Sequence, residues 1–103
     1  MPTAYVTAPR DVAPVLAKLL VEERLAACVN IVECQSTYRW EDDIHHDPES
    51  ILFVKTSGDR YEAMADRLKA EHPHAVPCIE RFDEDLILPS FARWRDDAVG
   101  GSD

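Results

Sequence analysis

The chain has 103 residues, of which 46% are hydrophobic and only three are glycine. This length predicts a single domain over residues 1–103 with one compact core, and the composition excludes a disordered chain. Twenty acidic against 11 basic side chains give a net charge of −9. That charge argues against nucleic acid or an anionic membrane as a partner, because both attract positive charge.

The basic residues are unevenly divided, with three lysines beside eight arginines. An acidic surface poor in lysine is similar to those of proteins from salt-loving cytoplasms, where high ionic strength screens carboxylate repulsion. An ordinary acidic protein is the alternative, and composition does not separate the two.

The three cysteines, Cys28, Cys34 and Cys78, have no spacing typical of a disulfide framework. The first residues lack the basic start and apolar run of a signal peptide, and no apolar stretch approaches membrane-spanning length. We therefore expect a reducing, cytoplasmic location.

The first strand is predicted over residues 3–8, which are rich in β-formers and are followed by Pro9. A helix is then predicted from an N-cap at Asp11 to about Leu25. Its apolar residues recur at helical spacing: Val12, Val15, Leu16, Leu19 and Leu20.

The next segment predicts a long hairpin. Residues 28–32 are almost continuously apolar and residues 36–40 alternate, with a bulge or bend expected at residues 33–35. The polar residues 41–49 predict the tip, and residues 51–56 the returning strand.

A second helix is predicted from a capping pair, Asp59 and Glu62, to a stop at Pro73. A strand over residues 78–82 follows. A terminal helix starts at Pro89-Ser90 and ends at Gly100. The side chains expected to face inward on it are Phe91, Trp94 and Ala98.

The predicted order is β-α-β-β-α-β with an additional C-terminal helix. This order is the split βαβ arrangement of the ferredoxin-like fold, an α+β class with an antiparallel sheet and both main helices on one face. Since that fold carries many functions, it does not indicate an activity by itself.

Several segments resemble the CutA family in the same order and at the same spacing across nearly the whole chain. They are Thr7-Ala8-Pro9, Arg24 to Ile31, Ser36 with Tyr38 to Glu41, Glu49 with Lys55-Thr56, His72-Pro73 with Pro77, and Trp94. The resemblance implies a homotrimer with sheets joined edge to edge, a cytoplasmic setting, and a link to tolerance of divalent cations, especially copper. It also implies a structural relation to PII-type signalling proteins, which bind small ligands between subunits.

The chain departs from the family pattern at three positions. His74 stands where the family usually has tyrosine, Cys78 where glutamate is common, and Val6 where some members have cysteine. The complete set of metal ligands of another family member therefore cannot be assigned to this chain by position.

His72, His74 and Cys78 lie within one short segment that two prolines stiffen. Imidazole and thiolate are good donors for copper or zinc, so the three residues form a candidate metal site. The alternative is a helix stop followed by a strand, with His72 bonded locally. A second group of donors, His45-His46-Asp47, is more typical of a solvated turn with incidental copper binding.

Tyr38, Trp40, Glu49 and Lys55 form a candidate ligand-binding cleft, because aromatic faces with a cation and a carboxylate suit a small ligand. The alternative is that the two aromatic residues pack at a subunit interface.

The sequence contains no phosphate-binding glycine loop, nucleophile elbow or His-Glu-x-x-His motif. The leading hypothesis is a non-enzymatic trimer that binds divalent cations in metal tolerance, with no obligatory cofactor but with copper or zinc as candidates. The second is a PII-like signalling module that binds a small anionic ligand through Lys55. An enzyme is the weakest of the three.

Overall fold

The computed structural model describes residues 2–100. Its elements are β1 (Pro2–Pro9), α1 (Ala13–Glu22), β2 (Cys28–Trp40), β3 (Asp43–Lys55), α2 (Tyr61–Glu71), β4 (Ile79–Asp83) and α3 (Pro89–Gly100). The sheet order is β2-β3-β1-β4, and every neighbouring pair is antiparallel. The predicted ferredoxin-like α+β arrangement is therefore confirmed.

The core lies between one face of the sheet and the two main helices. Residues of β1 alternate strictly between buried and half-buried, as expected when one face of a strand is covered and the other is not. The buried side chains of this core are Ala4, Val6, Ala8, Ala13, Leu16, Leu20, Leu25, Ala26, Leu52, Val54, Met64 and Leu68. The opposite face of the sheet, which we call the helix-free face, contains Tyr5 in edge-to-face contact with Phe53 and Phe82.

The hairpin of β2 and β3 is longer and more regular than the sequence predicts. Cys28 to Trp40 pair without interruption with Lys55 to Asp43, so the expected break at residues 33–35 is wrong. The expected loop over residues 41–49 is also wrong, because the strands are joined by two residues alone. Glu41 and Asp42 have φ values of 51° and 68°, the left-handed pair that a type I′ turn requires.

The distal arm, which we define as residues 35–48, extends beyond the rest of the sheet. β1 pairs with β3 only from Glu49 to Lys55, so the arm is a two-stranded ribbon. It exposes Tyr38, Trp40 and Ile44. A two-stranded ribbon is at best marginally stable alone in water.

The ends of the helices differ from the predicted caps. The N-cap residues are Val12 and Arg60, and neither makes a side-chain capping bond. In place of the predicted Asp59, the hydroxyl of Ser57 accepts the backbone N–H of Arg60 at 3.3 Å.

The predicted inward position of Trp94 on α3 is wrong, since its side chain is 49% exposed. The residues that α3 buries are Ala92, Arg95 and Val99. Of these, Arg95 is charged and only 1% exposed, and it donates to Glu84 at 3.0 Å. The ion pair allows a guanidinium to occupy a buried position. Within residues 2–100, no helix is long and apolar enough to cross a membrane.

Candidate functional site

A cavity of about 590 Å³ opens between the distal arm and the segment that connects α2 to β4. We call it the hairpin cavity. Residues from β1, both hairpin strands and the connecting segment line it: Thr7, Ser36, Thr37, Tyr38, Trp40, Glu49, Pro73, His74, Ala75, Val76 and Cys78. It therefore combines residues predicted for the metal site with residues predicted for the ligand cleft.

The register of the hairpin explains why these side chains meet. Glu49 is directly opposite Cys34, and Tyr38 is directly opposite His45. Since opposed residues of antiparallel strands share a face, and Leu52 of the same strand is buried in the core, these four side chains lie on the helix-free face.

His72 anchors the connecting segment to β1. Its side chain is buried, and its Nε2 lies 2.7 Å from the carbonyl oxygen of Thr7. The backbone N–H of His74 donates to its Nδ1 at 3.1 Å. Because Nδ1 accepts, Nε2 must carry the proton that is donated to Thr7. Both ring nitrogens of His72 are therefore engaged. The bond at Nδ1 is local, as the alternative interpretation expected, whereas the bond at Nε2 reaches the distant β1.

His74 and Cys78 both line the hairpin cavity. The imidazole ring of His74 lies 4.8 Å from that of His72. Burial raises the pKa of the Cys78 thiol, and the neighbouring Glu80 carboxylate raises it further. Within residues 2–100, no three His, Cys, Asp or Glu side chains are arranged to hold a metal ion. The metal site predicted at His72, His74 and Cys78 stays a prediction.

The aromatic residues of the cavity lie on the distal arm. The hydroxyl of Tyr38 donates to Asp47 at 2.5 Å, and this bond, which favours the neutral phenol, raises the pKa of Tyr38. Its ring stacks on that of His45 with 5.4 Å between centroids. Trp40, also on the cavity wall, is 45% exposed.

Glu49 is the carboxylate of the cavity and is only 7% exposed. Within residues 2–100, its carboxylate makes no hydrogen bond or ion pair. The nearby Arg10 instead donates to the backbone carbonyls of Glu49, at 3.3 Å, and Cys34, at 2.9 Å. The carboxylate that Arg10 approaches is Glu33, at 3.9 Å.

Lys55, predicted to join the cleft, is not among the residues that line the cavity. It pairs with Thr3 and Cys28 at the opposite end of β3. Six residues of extended strand separate it from Glu49, roughly 20 Å. The structure therefore separates Lys55 from Tyr38, Trp40 and Glu49.

His45 and His46 lie in β3, not in a turn. Successive side chains of a strand point to opposite faces, and His46 hydrogen-bonds Thr37 at 3.1 Å. Sequence reasoning named Asp47 only as a donor beside His45 and His46, and did not identify it as the partner of Tyr38. The period of an extended strand, which places Asp47 on the same face as Glu49, could have indicated it.

Comparison with known proteins gives one family. A sequence model described as "CutA1 divalent ion tolerance protein" matches residues 3–98. A divalent-cation tolerance protein CutA from Thermus thermophilus is 49% identical over 74 residues, covering 70% of this chain and 72% of that protein. The CutA of Archaeoglobus fulgidus is 38% identical over 96 residues, covering 92% and 94%.

Solved structures agree with these relatives. The chain matches a "PII-like protein CutA" from Nostoc with a TM-score of 0.93 at 27% identity, covering 96% of this chain and 97% of that one. It matches a "periplasmic divalent cation tolerance protein CutA" from Archaeoglobus fulgidus with a TM-score of 0.91 at 37% identity, covering 96% and 99%.

Proposed function

Because this chain belongs to the CutA1 family of divalent ion tolerance proteins, we propose that it binds divalent cations, copper among them, and acts in tolerance of these ions. The observation that supports this most is the position of His74 and Cys78, which line one cavity. Imidazole and thiolate together suit copper or zinc.

We propose that the metal ligands come from the connecting segment. Cys78 and His74 are the first two, because both reach the cavity. His72 is the third, and it can ligate through Nδ1 only after the backbone N–H of His74 is released. Binding therefore rearranges this segment, and the metal is a cargo or signal with no obligatory cofactor role. The proposed activity is non-catalytic.

We also propose that the chain works as a cytoplasmic homotrimer without nucleic acid or membrane partners. The distal arm supports the trimer, because it is a ribbon with Ile44 exposed on the face opposite Tyr38, and a second chain can cover that face. Sedimentation equilibrium tests the assembly: a mass of three chains is expected, and an Ile44→Glu variant should dissociate. A monomeric wild type would contradict the trimer.

The alternative of a PII-like module that binds an anion through Lys55 is not favoured. The likeness to the Nostoc protein concerns the fold, and Lys55 lies away from the cavity that such a ligand would occupy. A cation is the better fit.

The metal proposal is tested by titrating copper into the purified protein in a calorimeter. Wild type should bind stoichiometrically, and a His74→Ala/Cys78→Ala variant should lose the binding. A His45→Ala/His46→Ala variant is the matched control, since it also removes two donors but from the distal arm. Binding lost in the control variant and kept in the first would move the site to the arm and overturn the assignment.

A further inference from the structure

We propose that the hairpin cavity is also a binding site for a small organic monocation, an ammonium or guanidinium group on a short apolar body. Glu49 supplies the counter-charge, and Tyr38 and Trp40 supply aromatic walls. This inference does not depend on metal binding, because it uses none of the proposed metal ligands.

The first step of the argument is the unpaired charge of Glu49. Glu49 is 7% exposed as a residue, and a carboxylate with restricted access to water gains from a nearby cation or from hydrogen-bond donors. Within residues 2–100, no group of the protein supplies either. Glu49 also lines an open cavity, so a ligand can bring the missing positive charge.

The second step concerns Arg10, the neighbouring residue that could have neutralised Glu49. Its Nε and Nη2 donate to the backbone carbonyls of Glu49 and Cys34, and its ion pair is with Glu33. Of the residues described as lining the cavity, none is lysine or arginine. The electrostatic character of the cavity therefore selects a cation and disfavours an anion.

The third step is the chemistry and size of the walls. Aromatic faces attract cations, and Tyr38 and Trp40 line one side of the cavity. Its other side presents the apolar Pro73, Ala75 and Val76 beside His74 and Cys78. A volume of about 590 Å³ is in the range of small-molecule sites. The cavity therefore fits a charged head with an apolar body.

The test compares three probes of similar shape and different charge: n-butylammonium, n-butanol and pentanoate. Each is titrated calorimetrically into the full chain in sodium phosphate with EDTA, which removes metal and avoids amine buffers. Saturable binding of n-butylammonium, without binding of the other two, is expected. Equal or tighter binding of pentanoate would overturn the proposal.

Two isosteric variants locate the site. Glu49→Gln removes the charge and keeps the volume, and n-butylammonium should bind about tenfold more weakly or worse, because a charge-assisted contact is lost. Glu33→Gln is the control, since its side chain is 69% exposed and pairs with Ser50 on the other face of the hairpin. Equal affinity in wild type and Glu49→Gln would refute the role of Glu49.

The other possible occupant is a basic side chain from a second copy of this chain. In that case Glu49→Gln would shift the sedimentation mass and n-butylammonium would not bind wild type, which overturns the ligand proposal. Because every titration is metal-free, its outcome is separate from the copper experiment. Loss of copper binding in His74→Ala/Cys78→Ala with unchanged n-butylammonium binding would support both proposals independently.

Discussion

Replacing His72 with phenylalanine tests whether this side chain holds the wall of the cavity in place. Phenylalanine keeps the aromatic ring and most of the volume of this buried position, so the change mainly deletes two hydrogen bonds, to the Thr7 carbonyl and from the His74 N–H. Each neutral bond contributes about 1 kcal/mol net. The expected loss in free energy of unfolding is therefore about 2 kcal/mol. It rises to about 3 kcal/mol if no water molecule replaces the lost hydrogen bond to the Thr7 carbonyl.

For a domain of this size, about 2 kcal/mol corresponds to a fall in Tm of roughly 8–16 °C. The assay is urea unfolding together with a thermal scan at one fixed protein concentration, because assembly would make stability depend on concentration. His46→Phe is the control, since that residue is exposed and makes one hydrogen bond, with Thr37, on the arm.

Hydrogen exchange adds a local readout. In His72→Phe, the amide of His74 should lose protection, while amides in the middle of α1 should keep theirs. If His72→Phe and His46→Phe have the same stability, the two bonds of His72 do not hold the segment and the reasoning is refuted.

Three further predictions concern titration and salt. In a Cys28→Ala/Cys34→Ala background, the rate at which iodoacetamide alkylates Cys78 should rise with pH, with a midpoint at higher pH than that of a free thiol, because burial disfavours the thiolate. A midpoint at or below that of a free thiol would contradict this. Absorbance at 295 nm should show Tyr38 ionising at a lower pH in Asp47→Asn, since the bond that favours the neutral phenol loses its charged acceptor; an unchanged midpoint would rule out that cause. Lowering the salt concentration should lower the Tm, because the net charge of −9 is less screened, and a Tm independent of salt would contradict the halophilic interpretation.

The fold could be predicted from the sequence because its elements carry clear signals. Prolines and polar clusters separate the segments, and residues 3–8, which are rich in β-formers, lie in the strand β1. The distal arm carries only part of this signal: residues 36–40 alternate and predict a strand, whereas the returning residues 43–48 are mostly polar and predict a loop. Its turn, Glu41-Asp42, lacks the glycine or asparagine that normally marks such a turn.

The candidate site was predicted in part. Glu49 was predicted in the loop at the tip of the hairpin, so Lys55 was grouped with it, although both residues lie in the extended strand β3, six positions apart. The helical period on α3 did not identify Arg95 as buried, because its burial depends on Glu84, a partner in the preceding loop. The first outcome depended on the length of a strand, and the second on a contact between two segments.

The turn at Glu41-Asp42 has a consequence for the chemistry far from it. Thirteen consecutive residue pairs follow it without a bulge, so inserting or deleting one residue in the turn would slip the two strands against each other. A slip of one position moves every affected side chain to the other face, and Glu49 would exchange with Ser50. The length of the turn therefore sets the strand register about 25 Å away. It determines which side chains face the hairpin cavity, although neither turn residue lines that cavity.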